Sequence, residues 1–148
     1  MTGAPLGNGG TARQSPTTPD VVAGMPFGPL APSVARAAVH EAVRYGARVR
    51  FLQVLQAGTS DQARAGADDQ TFSAALRALR EAPRVRVAFE TVVGEAEQIF
   101  VERSREAVVL VVAGGSPAQD AGEDRFGAGA IAEYCLGHAG CPVLVVER

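Results

Sequence analysis

The chain alternates between two hydrophobic rhythms. Short continuous apolar runs are separated by longer stretches whose apolar residues recur at helical spacing. Val21-Val22-Ala23-Gly24 reads as a short buried strand. The three prolines of Met25 to Pro32 then forbid regular structure. Ser33 stands where an N-cap belongs, and Val34, Ala38, Ala42 and Tyr45 fall on one stripe behind it, with Gly46 as the stop. Val49 to Leu55 is the second strand, and Ala57 to Gln70, polar and small, reads as a connection. Asp68 or Asp69 is expected to cap a helix whose inner face is Phe72, Ala75, Leu76 and Leu79, ended by Pro83.

Val85 to Val93 alternates with one face more polar than the other, which places it near a sheet edge. Gly94 leads into a third helix, Glu95 to Glu106, marked by Ala96, Ile99, Phe100 and Arg103. Val108 to Val112 is almost wholly β-branched or Leu, the sign of a strand covered on both faces. A fourth helix is predicted from about Gly129 to His138 with Ile131, Tyr134, Cys135 and Leu136 as its apolar residues, and Val143 to Val146 is the fifth strand. Strands alternating with helices imply an α/β fold: an open parallel five-stranded sheet with helices on both faces. In strand order 3-2-1-4-5, ligands bind beyond the C-terminal strand ends, at the crevice between the Val21 and Val108 strands. The loops opening there are Met25 to Pro32 and Gly114 to Ala128.

Composition narrows the function. Residues 1–20 are rich in Gly, Pro, Thr, Ser and Ala and read as a disordered tail before one domain spanning 21–148. A net charge of −2 gives no electrostatic reason to expect nucleic acid or an acidic membrane as partner. All 14 basic residues are Arg, so Walker-type phosphate loops and Schiff-base chemistry, both of which need Lys, are excluded. No apolar run approaches the ~20 residues needed to cross a bilayer. The start of the chain lacks the pattern of a secretory signal, and two cysteines do not make a disulfide scaffold, so a cytoplasmic setting is the expectation.

Several residues invite chemistry. A run that opens into Gly114-Gly115-Ser116 and later reaches Gly127-Ala128-Gly129 at a helix start has the form of a phosphate cradle, because free N–H groups and the helix dipole favour an anion. Cys135, His138 and Cys141 form a C-x2-H-x2-C run, but a structural zinc site wants a fourth ligand, and the expectation is no metal. The C-x5-C spacing also lacks the form of a redox pair. Asp120, Glu123 and Asp124 suit a cation site or an acidic flap, the latter favoured by Gly122 and Gly127. His40 reads as a surface residue, and no nucleophile–base–acid set is visible, so no enzyme activity is expected.

The stretches Gly46 to Val54, Val109 to Val112 and above all Gly129 to Val146, with its helix, His138-Ala-Gly-Cys-Pro142 and closing Val/Leu strand, resemble the universal stress protein family. The resemblance implies a regulatory or binding module in stress response, with an adenine nucleotide alpha hydrolase-like sheet. Many members bind ATP, using an Asp just past the first strand and a Gly-x2-Gly-x9-Gly-Ser/Thr loop. Here Pro26 stands at the Asp position, Pro117 at the second glycine and Ala130 at the hydroxyl residue, while Gly114 and Gly129 match the first and last glycines. Pro has no N–H to donate and Ala no hydroxyl. The resemblance therefore implies a member that holds no cofactor by the usual loop. The alternative is an ATP binder, with slow hydrolysis at most, in which Gly114 and Gly129 hold phosphates and Val54 lines the base pocket. It also implies a homodimer, or a heterodimer with a related copy, paired through Val143, Leu144, Val145 and Val146, since an apolar edge strand is usually covered.

Overall fold

The computed structural model describes residues 19–115 and 128–147. Residues 1–18 of the tail read for 1–20, and Pro117, Asp120, Glu123 and Asp124, lie outside the described residues, whereas Asp20 is the first residue of a strand. Five strands, β1 (Asp20–Gly24), β2 (Arg48–Leu55), β3 (Val87–Val93), β4 (Ala107–Ala113) and β5 (Val143–Val146), form one sheet of order β3-β2-β1-β4-β5 with every pairing parallel. Among the described residues four helices connect them: α1 (Ala31–Tyr45), α2 (Asp61–Leu79), α3 (Ala96–Ser104) and α4 (Ala128–His138). The expected fold class and strand order are thus observed, and the more polar β3 is an edge strand.

Odd and even positions of the inner strands face different helices, as a pleat of period two requires. Val21, Ala23, Val49, Phe51, Val109 and Val111 are buried with α1 and α2 residues. Val22, Leu52, Val54, Leu110 and Val112 are buried with Phe100 and Val101 of α3 and Ala132 and Cys135 of α4. Gly24, at the end of β1, is needed for closeness: a Cβ there would stand 2.8 Å from the Phe100 ring.

Several local expectations need correction. Ser33 is not the cap of α1; Leu30 is, and Pro32 lies within the first turn, where the missing N–H has no intrahelical partner to lose. Gly46 does end α1, in the left-handed conformation at φ 63°. Tyr45, assigned to the buried stripe, is 44% exposed. The largest difference is α2, which starts at Asp61 rather than near Asp68, with Ser60 capping it by accepting from the Ala63 N–H at 3.1 Å. Its inner face is Ala67, Thr71, Ala74, Ala75 and Ala78, while Phe72 and Leu76 are 49% and 65% exposed. In α4, Ala132 and Cys135 are buried, whereas Tyr134 and Leu136 face outward. β1 and β3 begin at Asp20 and Val87 rather than Val21 and Val85.

Candidate functional site

An open crevice of about 860 Å³ lies beyond the C-terminal ends of β1, β2 and β3. The β1–α1 loop supplies Phe27 and Gly28; the end of β2 and the residues after it supply Val54, Leu55, Gln56 and Thr59. One face of α2 contributes Ala63, Gly66, Ala67 and Gln70, and the turn into α3 contributes Gly94 to Glu97. Ile131 of α4 completes the described lining. The size falls in the range of small-molecule sites. Among the described residues, the crevice lies over β2 and extends toward β3, beyond the expected junction of β1 and β4.

The walls are held by specific bonds. Met25 N–H donates to the Leu52 carbonyl at 2.9 Å, and Gly28 N–H donates to Gln70 Oε1 at 3.1 Å, so the β1–α1 loop is fastened to both β2 and α2. Gly28 has φ 122°, a conformation L side chains rarely adopt. Deeper along α2, the buried Gln53 side chain accepts from Thr71 Oγ1 at 2.7 Å and donates to Asp68 Oδ1. An alanine face has little apolar area to set the position of a helix, and these polar contacts fix it.

The predicted binding residues separate. Val54 is buried and lines the crevice. Gly114 does not line it; it is buried against β5, and its N–H donates to the Val146 carbonyl at 2.8 Å. A Cβ at Gly114 would stand 2.7 Å from Val145 Cγ1, so this glycine is required by packing. Gly129 and Ala130 occupy the first turn of α4. Pro26 follows β1 in the loop ahead of Phe27, and the described lining contains Glu95 and Glu97 but no Arg or His. Sequence reasoning missed Phe27, Gln70 and Glu97; the signal for Phe27 was its position one residue after Pro26.

The remaining candidates have plain surroundings. Cys135 is wholly buried, and burial pushes its thiol up to about 11, far from a reactive thiolate at neutral pH. Burial also raises the Cys141 thiol. His138 stacks on Tyr134, with centroids 4.1 Å apart, and its Nδ1 lies 2.9 Å from the Tyr134 carbonyl oxygen. Among the described residues, no three His, Cys, Asp or Glu side chains are grouped to hold a metal ion. His40 is exposed, with Nε2 3.4 Å from Glu81 Oε1.

The opposite end of the sheet carries a charge ladder. Asp20 accepts from Arg48 Nε and Nη2 at 2.9 and 3.0 Å, and from Arg50 Nη2 at 2.9 Å. Arg50 also reaches Glu90 at 3.4 Å, and Glu90 accepts from Arg103 Nη2 at 2.7 Å. Burial opposes ionisation of Asp20, but hydrogen bonds and charge from Arg48 and Arg50 outweigh it and hold the carboxyl below its usual range. Hydrogen bonding from Arg103 is the leading cause of the lowered Glu90 carboxyl.

Solved structures share this architecture. A universal stress protein from Archaeoglobus fulgidus in complex with dAMP is 25% identical, with a TM-score of 0.64 over 87% of this chain and 97% of that one. A universal stress protein in complex with cAMP is 20% identical, with a TM-score of 0.60 over 88% and 97%. A family member from Burkholderia pseudomallei is 22% identical, with a TM-score of 0.61 over 86% and 94%. No curated protein matches the chain in sequence. No described helix is long and apolar enough to cross a membrane. The model of the universal stress protein family matches residues 19–147, nearly the full length: the chain belongs to the universal stress protein family.

Proposed function

We propose that the chain is a cytoplasmic, non-enzymatic binding module of the stress response that does not hold ATP through the family's usual loop. The observation that carries this reading is the Gly114 N–H, which donates to Val146 inside the sheet rather than toward the crevice. Pro26, which offers no carboxylate, Ala130, which offers no hydroxyl, and the carboxylates of Glu95 and Glu97 on the crevice wall support it further. Losing charge-assisted hydrogen bonds at about 1.5–3 kcal/mol each is enough to carry a micromolar site beyond useful affinity. Calorimetry with ATP, with and without magnesium, is expected to give a Kd weaker than about 100 μM; a value below about 10 μM overturns the reading.

The second reading, an adenine-nucleotide binder, is favoured by the dAMP- and cAMP-bound relatives and by Val54 on the crevice wall. In it Gly114 and Gly129 contact phosphates, and the same titration decides between the two. The module is also proposed to pair with a second or related copy through Val143, Leu144, Val145 and Val146. This segment forms one edge of the sheet, and Leu144 is 37% exposed, so an apolar ladder is left open to a partner. Light scattering at micromolar concentration is expected to give a dimer mass, and a monomer mass counts against pairing.

A further inference from the structure

We infer that the crevice over β2 takes a phosphate-free planar aromatic compound of about nucleoside size, neutral or cationic. The inference rests on the reading that ATP is not held by the usual loop, and it names what the same crevice accepts instead.

The lining carries it. Phe27 is 53% exposed and lines the crevice. It sits between two anchors, the Met25 N–H on Leu52 and the Gly28 N–H on Gln70, so its backbone is held from both sides. Val54 and Ile131 add apolar surface, and Ala63, Gly66 and Ala67 of α2 are small enough to leave room for a flat molecule. An aromatic ring and aliphatic walls recognise a planar ligand by contact area and stacking, which are indifferent to the charge of distant substituents. Charge is discriminated by the wall at the turn into α3, where Glu95 is exposed and Glu97 partly so. These two carboxylates on one wall repel a phosphate added to the ligand and attract a cationic ring.

Adenosine, AMP, ATP and the cationic planar dye proflavine serve as probes, titrated into the full chain at low ionic strength by calorimetry or fluorescence. Adenosine or proflavine is expected to bind with a Kd below about 1 mM, and at least one of them about ten-fold more tightly than AMP. Phe27→Ala, at an exposed position where folding can be verified by circular dichroism, is expected to weaken the better probe about five-fold or more. The Glu95→Gln/Glu97→Gln double variant is expected to reduce the preference for proflavine or adenosine over AMP about five-fold, and added salt to reduce it likewise. Failure of both phosphate-free probes to bind, or an unchanged preference in the double variant, overturns the inference while leaving the reading on ATP intact. Tight ATP binding overturns both.

Discussion

At the N-terminal ends of β1 and β2, Asp20, Arg48, Arg50, Glu90 and Arg103 each have an opposite charge within hydrogen-bonding distance. At the C-terminal ends the walls are Phe27, Val54, Ile131 and small α2 residues, with Glu95 and Glu97 bonded to no cation of the described lining. The lower end has spent its charges on itself and holds strands and α3 in place. The upper end, where the fold gathers its loops, keeps an open surface, and it is the end at which ligand discrimination is proposed. Charged residues alone therefore do not mark a site; whether their partners come from the protein does.

Substitutions test this division. Asp20→Ala leaves Arg48 and Arg50 without their shared carboxylate and is expected to cost about 2–3 kcal/mol in urea unfolding. Next in size, Gly114→Ala drives a Cβ against Val145 and is expected to cost about 1–2 kcal/mol, with Val145→Ala in the same chain costing less than the sum of the two single changes. Acid titration gives a smaller effect. Because Asp20 and Glu90 are held below their ordinary values of 3.8 and 4.5, their contribution is full above those values. It is lost as pH falls through the lowered native ones. Stability curves of Asp20→Asn/Glu90→Gln are expected to be flatter than wild type across this window, and parallel curves count against the ladder. Smallest is Glu95→Gln/Glu97→Gln, expected to move unfolding free energy by no more than about 0.5 kcal/mol. A large loss there means that these carboxylates are structural and the contrast between the two ends fails.

The fold was legible because its strands are dense in Val and Leu and α1 carries a clear stripe ending at Gly46. The start of α2 was not, for a physical reason. Its buried side is alanine and threonine, which give almost no periodic signal, while the conspicuous Phe72 and Leu76 lie outside the core. Phe72 instead rests on Phe89 of the edge strand, with ring centroids 4.6 Å apart. The ladder was hidden because Asp20 reads as the last residue of a tail, and its partners lie 28 and 30 positions away. In the crevice, Val54 could be placed from the family motif, whereas Gln70 could not, since its role is a bond to the backbone of Gly28 across 42 residues. Gly114 shows the limit most clearly, because a glycine kept for a close strand and one kept for a phosphate look identical in sequence.

The bond from the Gly114 N–H to Val146 also makes one atom a shared resource. A ligand that claims this hydrogen must release the terminal rung joining β5 to the rest of the sheet. β5 is only four residues long, so that rung is a sizeable fraction of its attachment. Capture of an anion at this point and firm seating of the outer strand are then antagonistic. By reciprocity, a partner that held this rung closed would lower the affinity for any such anion by the same factor.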